Sequence, residues 1–252
     1  MNPLKLNMGC GSRYHDGALW ENINYPGNPP KVKHVNLHKG LPYTANTFSF
    51  IYTSHVLDHF IPAKTEFIVN EVMRCLKPGG VVRISLPDLE FNCRRYLNSI
   101  EENSTNPCKH RWFVIELLDQ MTRTQAGGEK AIFLREARKR ADIQGWLRPL
   151  LGYEMLQHLD RPDPVPPRNM QRVSNWLRGL CYSRQFEKSG ERHLWTYDWI
   201  SLSDLLCRTG FVEITRQSCM ESLYKPHLAE NLDVENGKEY KPGSLYVEGR
   251  KP

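Results

Sequence analysis

The chain lacks a long apolar run and lacks any cysteine pattern typical of a metal site. No hydrophobic stretch approaches the roughly 20 residues that a transmembrane helix needs. The first residues also lack the basic and then apolar pattern of a signal peptide, so we expect a cytoplasmic protein without a membrane span. The seven cysteines are odd in number and include no Cys-x-x-Cys pair. This predicts reduced thiols, with neither a disulfide framework nor a bound metal.

A third glycine is missing from the most informative turn in the sequence. The alternating run Leu4–Met8 leads into Gly9-Cys10-Gly11, which predicts a buried strand and a tight turn that a ligand can approach closely. A dinucleotide fingerprint places another glycine three residues after the second one, where this chain has Tyr14. The turn therefore argues against a nicotinamide or flavin cofactor, although Gly-x-Gly also occurs in ordinary turns.

The following segments predict a parallel α/β sheet. Apolar and β-branched residues favour strands over 18–24, 32–37 and 46–53, with spacings too short for long helices between them. A helix is predicted from about Pro62 to Leu76, and Lys77-Pro78-Gly79-Gly80 is its stop signal. A buried strand over 80–87 follows and ends at Asp88. A strand, a helix and a strand in this order predict a doubly wound, mostly parallel sheet.

These motifs, taken in order, resemble the class I S-adenosylmethionine-dependent methyltransferases. Within that family they are similar to the branch often encoded beside glycosyltransferases in surface-polysaccharide clusters. The resemblance covers about residues 1–90 and 190–252. It depends on the segments 6–11, 22–24, 41–43, 54–59, 76–80, 197–211 and 244–248.

The resemblance implies a seven-stranded, Rossmann-like sheet and S-adenosylmethionine as the cofactor. It implies a methyltransferase domain made of residues 1–90 and 191–252, with a largely helical insertion over 91–190. In such a sheet the ligand lies beyond the carboxyl ends of the strands, where the strand order reverses. The residues expected to bind the cofactor are Asn7, Gly9, Cys10, Gly11, Asn24, Asn36, Leu37, Ser54 and His55.

Three neutral residues depart from the family pattern. The family usually has an acid at the positions of Asn24, Asn36 and Ser49. An asparagine oxygen can still accept a hydrogen bond from a ribose hydroxyl, but a carboxylate accepts one roughly twice as strong. The departures keep a second hypothesis open, namely a degenerate protein that retains the fold as a binding module.

The insertion carries the net charge of the chain. Residues 91–190 contain 17 lysines and arginines against 11 aspartates and glutamates, which equals the net charge of +6 for the whole sequence. Helical periodicity is present over 112–121 and 129–147, and 162–167 is a proline-rich interruption. Two interpretations remain, a basic lid that selects an anionic acceptor and a solvated helix face. Nucleic acid is disfavoured, because the basic residues are not interleaved with stacking aromatics.

Methyl transfer to a hydroxyl requires a base. The candidates are His55, Asp58, His59, Asp88 and His193, of which we favour Asp88 and His193. Each has a structural alternative: Asp58, His59 and Asp88 could cap helices, and a single histidine is often structural. The sequence thus predicts a methyltransferase for a small or glycan-type, anionic acceptor. It does not determine the oligomeric state.

Overall fold

The computed structural model describes residues 4–25, 31–101, 106–161 and 190–252. The predicted proline-rich interruption at 162–167 lies outside these residues. The chain forms two compact units. The first consists of residues 1–90, 195–239 and 243–252, and the second of residues 91–194 and 240–242. The two units are described separately below.

The first unit contains a seven-stranded sheet with the order β3-β2-β1-β4-β5-β9-β6. Strand β9 is antiparallel to both of its neighbours, whereas the pairs from β3 to β5 are all parallel. Strands β7 and β8 form a separate hairpin. This arrangement confirms the predicted doubly wound, mostly parallel seven-stranded sheet. The strands are β1 Leu4–Met8, β2 Trp20–Asn24, β3 Val32–His34, β4 Phe48–Ser54, β5 Leu76–Pro87, β6 Val212–Gln217, β7 Val234–Glu235, β8 Lys238–Glu239 and β9 Ser244–Arg250.

Helices in both units begin at recognisable signals. Pro62 occupies the first turn of α1, and Asp198 caps α7 through a reciprocal capping box with Ser201. No helix among the described residues is long and apolar enough to span a bilayer. The helices are α1 Pro62–Cys75, α2 Leu89–Glu101, α3 Pro107–Thr122, α4 Gly128–Arg138, α5 Ala141–Leu147, α6 Tyr153–Asp160 and α7 Trp199–Arg208.

The two faces of the sheet are covered differently. On one face, the apolar sides of α1 and α7 form the main core with alternate residues of the strands, such as Leu6 and Ile84. On the other face, Trp20 and Phe50 pack with Leu232 from the segment that follows β6. That second face also buries charged side chains, because the segment 218–239 supplies carboxylates to it. This segment contains the 3-10 helix Lys225–Glu230 and no α-helix, and it covers part of this sheet face.

Three predicted boundaries differ from the structure. Strand β5 begins at Leu76 instead of residue 80, because Leu76 pairs with Phe48 before the ladder shifts register. Strand β3 ends at His34, since the side chain of Asn36 accepts a hydrogen bond from the His38 N–H and starts a 3-10 turn. The predicted helix over 129–147 is two helices, α4 and α5, separated at Arg140, which is extended.

The second unit has a hydrophobic core of its own. Helices α3 to α6 contribute Trp112, Phe133, Ile143 and Leu159 to this core. The carboxylate of Asp119 on α3 accepts a hydrogen bond of 2.6 Å from the first turn of α4. An acceptor at a helix N-terminus satisfies N–H groups that have no partner inside the helix. Apolar packing and capping together hold the helices of this unit.

Candidate functional site

The register of the ladders brings the candidate cofactor residues of the first unit to one edge of its sheet. Met8 pairs with Ile23 on one side and with Thr53 on the other. The next positions, Gly9, Asn24 and Ser54, are therefore neighbours at the carboxyl ends of β1, β2 and β4. The strand order reverses between β1 and β4, which is the point where ligands bind in open α/β sheets.

The two glycines of the turn have different surroundings. Both are in the left-handed region, with φ values of +72° for Gly9 and +54° for Gly11. A Cβ atom at Gly9 would lie 2.3 Å from Cγ2 of Val56, whereas one at Gly11 would meet nothing within 4 Å. Gly9 is required by packing inside the protein. Gly11 faces open space, where a ligand can approach the backbone.

Asn7 and Asn22 hold the loop that follows the turn. The buried amide of Asn7 donates to Oδ1 of Asn22 at 3.2 Å and to the carbonyl of Arg13 at 3.0 Å. Asn22 in turn accepts from the N–H of His15 and donates to its carbonyl. The structure thus places Asn7 beneath the loop as a residue that positions it.

Cys10 lies between the two glycines and is buried. Burial raises the pKa of its thiol to about 11, since a thiolate there would lose its hydration. The backbone N–H groups of Gly9 and Cys10 both donate to the carbonyl of Ile23. Cys10 is therefore a neutral thiol on a backbone that β2 holds in place.

An asparagine lies at the carboxyl end of β2, and another lies two residues after the end of β3. Asn24 is half-buried at the end of β2, and its carbonyl accepts a hydrogen bond from Val35. Oδ1 of Asn36 already accepts the N–H of His38, and Leu37 packs into the core. Ser49, the third neutral position, lies near the amino end of β4, where its Oγ is 3.5 Å from the carbonyl of Leu4. Its lack of charge therefore does not affect the carboxyl edge of the sheet.

His55 is held in a strained conformation directly after β4. Its φ of +53° is uncommon for a residue other than glycine. Its backbone N–H donates to the carbonyl of Ser85, and Nε2 lies 2.9 Å from Oγ of Ser244 on β9. These contacts fix both the backbone and the ring, in a conformation that the sequence pattern did not indicate.

The candidate bases belong to different surroundings. The buried carboxylate of Asp88 accepts from the N–H of Glu90 at 3.0 Å and from Arg216 Nη2 at 2.7 Å. Asp88 thereby caps the start of α2. His193 belongs to the second unit, where its N–H donates to the carbonyl of Gln120. The general-base role of both residues remains a prediction.

Asp58 and His59 lie in a 3-10 turn before α1. The N-cap of α1 is Ile61, which makes no side-chain capping bond, so neither residue caps this helix. Asp58 is buried, and its carbonyl accepts from the N–H of Trp195. Capping of α1 does not explain why these residues are polar.

Arg13 makes a set of contacts that sequence reasoning missed. Its guanidinium donates to the carbonyls of Leu232 and Val234 and to the carboxylate of Glu235. Arg13 lies two residues after Gly11, so these bonds tie the glycine turn to the hairpin region. The sequence does show an arginine beside the glycine turn. No local pattern, however, predicts that its hydrogen-bond partners come from residues more than 200 positions later.

Many basic residues of the second unit are used within that unit. Arg138 donates to the carbonyls of His158 and Leu159, and Arg140 pairs with Asp142 at 2.6 Å. Arg135 is exposed and has no ion pair among the residues described. The positive charge of the predicted lid is thus partly neutralised by contacts inside its own unit.

The sequence comparison agrees with this geometry. Residues 12–84 match the family model described as a methyltransferase domain. These residues are thus similar to a methyltransferase domain. The match begins just after Gly11 and ends within β5, so it includes the strand ends at Asn24, Asn36 and Ser54. It confirms the predicted class of domain and, with it, S-adenosylmethionine as the cofactor. No curated protein matches the sequence.

Solved structures of methyltransferases resemble the chain at low identity. An S-adenosylmethionine-dependent methyltransferase from Thermotoga maritima is 13% identical, with a TM-score of 0.43, and the alignment covers 100% of this chain and 84% of that one. One from Mesorhizobium loti is 14% identical, with a TM-score of 0.40 and coverages of 98% and 90%. One from Archaeoglobus fulgidus is 11% identical, with a TM-score of 0.41 and coverages of 99% and 86%.

Proposed function

We propose that the protein is an S-adenosylmethionine-dependent methyltransferase whose acceptor is a small or glycan-type molecule with an anionic group. The observation that carries the proposal is the glycine turn at the point of strand reversal. There the backbone at Gly11 faces open space, directly beside the strand ends of β2 and β4. The methyltransferase-domain match over residues 12–84 supports the same assignment.

The residues present fit this cofactor. The space at Gly11 admits a ligand against the backbone, and the Asn24 amide at the neighbouring strand end can accept a hydrogen bond from a ribose hydroxyl. His55, fixed by Ser244, lies at the end of β4 on the other side of the turn. When bound, the cofactor supplies an already activated methyl group, so the protein has to align the acceptor and exclude water.

The anionic acceptor and the polysaccharide-cluster branch are narrower parts of the proposal. The excess of basic residues over 91–190 supports an acceptor that carries a phosphate, sulfate or carboxylate. A basic segment attracts such groups by charge, and an arginine fork can hold one through two hydrogen bonds. Asp88 and His193 are the proposed sources of a base for this chemistry.

A binding measurement on the full chain tests the proposal. We expect S-adenosylhomocysteine to bind in calorimetry and to raise the melting temperature. At 100 times its dissociation constant a ligand stabilises the folded state by about 2.7 kcal/mol. Transfer of labelled methyl groups to phosphorylated, sulfated and uronic-acid sugars, each beside its neutral analogue, then identifies the acceptor class. Turnover of the neutral sugars alone would contradict the anionic acceptor.

A second candidate function is supported by the neutral residues at Asn24 and Asn36. A protein that keeps the fold as an interaction module requires no acid at these strand ends. The same calorimetry decides between the two functions. If millimolar S-adenosylhomocysteine gives neither heat nor a thermal shift, the methyltransferase hypothesis is rejected and the interaction module is favoured.

A further inference from the structure

Arg95 on α2 is a half-buried arginine of the second unit whose guanidinium lies against two aromatic rings. The centre of its guanidinium lies 5.1 Å from the ring centroid of Phe91 and 4.5 Å from that of Phe113 on α3. An arginine held against aromatic faces has its planar group oriented, while the N–H groups at its edge remain available for hydrogen bonding. The two rings thus position this charge at the contact between α2 and α3.

Arg95 has no hydrogen bond or ion pair to any part of the chain that the structure describes. Its Nη2 is buried without an acceptor. The charge of Glu116 acts on it, but Oε1 of Glu116 is bonded to Lys130 at 2.7 Å. Burial lowers the pKa of the Arg95 guanidinium, so its surroundings disfavour the charged form.

Other arginines of this unit show the ordinary arrangement. Nη2 of Arg123 pairs with Asp119 at 2.7 Å, although its Nε is buried without a partner, and Arg138 donates to two backbone carbonyls. Buried polar groups are nearly always paired in folded proteins, and an unpaired one calls for an explanation. A ligand that brings its own acceptor oxygens would satisfy Arg95.

The polar character continues along the same helix contact. Ser99 lies one turn after Arg95 on α2 and is buried, and its Oγ lies 2.8 Å from Nδ1 of His110 on α3. His110 precedes Phe113 by three residues and so lies on the same side of α3. Polar groups and aromatic rings therefore both lie along this contact.

We propose that Arg95 is the binding residue of an anion site within the second unit, with its guanidinium fork held in place by Phe91 and Phe113. The ligand class is a tetrahedral or planar oxyanion, meaning a phosphate, sulfate or carboxylate group. The free oxyanion tests the site independently of catalysis.

The experiment compares the full-length parent with Arg95→Met and Arg135→Met. Arg135→Met is the matched control, because it removes the same charge from an exposed position in the same unit. Inorganic phosphate, sulfate and acetate are titrated separately and followed by calorimetry and melting temperature. We expect at least one anion to bind the parent and Arg135→Met alike, and to bind Arg95→Met at least tenfold more weakly.

Two further measurements keep the result interpretable. Arg95→Lys retains the charge but lacks the planar fork, so we expect it to bind the anion more weakly than the parent. It also replaces Arg95→Met if circular dichroism shows that the latter does not fold. Three results would overturn the site. The Arg95 variants could bind the anion as tightly as the parent, the Arg95 and Arg135 variants could lose the same affinity, or the parent could bind none of the anions. If the parent does not bind S-adenosylhomocysteine, the proposed function fails, while the anion site of the second unit is judged by the titrations alone.

Discussion

Nη1 of Arg13 lies 2.8 Å from Oε2 of Glu235, although 222 residues separate them in the chain. The same guanidinium donates to the carbonyls of Leu232 and Val234. Arg13 itself follows the glycine turn, and its own carbonyl accepts from Asn7. A segment close to the end of the chain therefore holds the loop beside the candidate cofactor site.

Replacing Arg13 tests this connection. We expect Arg13→Met to weaken S-adenosylhomocysteine binding by roughly tenfold, because the loop beside Gly11 loses its hold and must be ordered on binding. Glu235→Gln is the matched control, since it leaves both backbone acceptors of Arg13 in place and should have a smaller effect. Calorimetry measures both affinities. If Arg13→Met binds as tightly as the parent, the loop does not depend on this anchor.

Alanine at Gly9 and alanine at Gly11 should have different consequences. Gly9→Ala places a Cβ against Val56 at a positive φ, so we expect it to lower the free energy of unfolding by about 2 to 4 kcal/mol. Gly11→Ala meets no atom and should cost only about 1 kcal/mol, while it obstructs the ligand. Chemical denaturation and S-adenosylhomocysteine calorimetry separate the two effects. Recovery of stability in the double variant Gly9→Ala and Val56→Ala would confirm the clash.

Asn24→Asp tests whether the end of β2 binds the ribose. A carboxylate accepts a stronger hydrogen bond than an amide oxygen, so we expect binding to tighten by about 1 kcal/mol, or roughly fivefold. Asn36→Asp is a useful comparison, because either residue can accept the His38 N–H and keep the 3-10 turn. Calorimetry with S-adenosylhomocysteine gives both constants. Unchanged affinity for Asn24→Asp would place the ribose elsewhere.

Asp233 is expected to make stability depend on pH. Its buried carboxylate pairs with Arg83 at 2.7 Å and accepts the hydroxyl of Tyr52. Burial acts to raise the pKa of Asp233, but its neighbours, His227 and Arg83 foremost, hold that pKa below its ordinary value. Because the folded-state pKa is the lower one, this stabilisation is present above about pH 4 and is lost as the pH falls further.

Asp233→Asn should therefore remove part of the acid dependence. At pH 7 we expect a loss of about 3 to 5 kcal/mol, since Arg83 is left buried with one fewer counter-charge. Asp204→Asn is the control, because Asp204 pairs with Arg208 at the exposed surface, where such pairs contribute little. Urea denaturation between pH 3 and pH 7 checks both. A parallel pH dependence in Asp233→Asn and the parent would show that Asp233 is not responsible.

Much of the candidate site could be predicted because its signals are local. The alternation of Leu4 to Met8, the glycines that follow and the proline at the start of α1 each depend on residues a few positions apart. The roles of the individual site residues were less accessible. Nothing local distinguishes Gly9, which packs on Val56, from Gly11, which faces open space.

The sequence by itself determined the succession of strand and helix patterns along the chain, the glycine turn after the first strand and the class of fold. Tertiary structure alone decided which charges are satisfied. Arg138 and Arg95 are both arginines in predicted helical or basic segments, yet Arg138 has backbone acceptors and Arg95 lies against two rings. The physical reason is that the partner of a side chain depends on how helices and strands pack against one another. Arg83 and Asp233 form an ion pair although they are 150 positions apart, and no periodic pattern along the chain connects them.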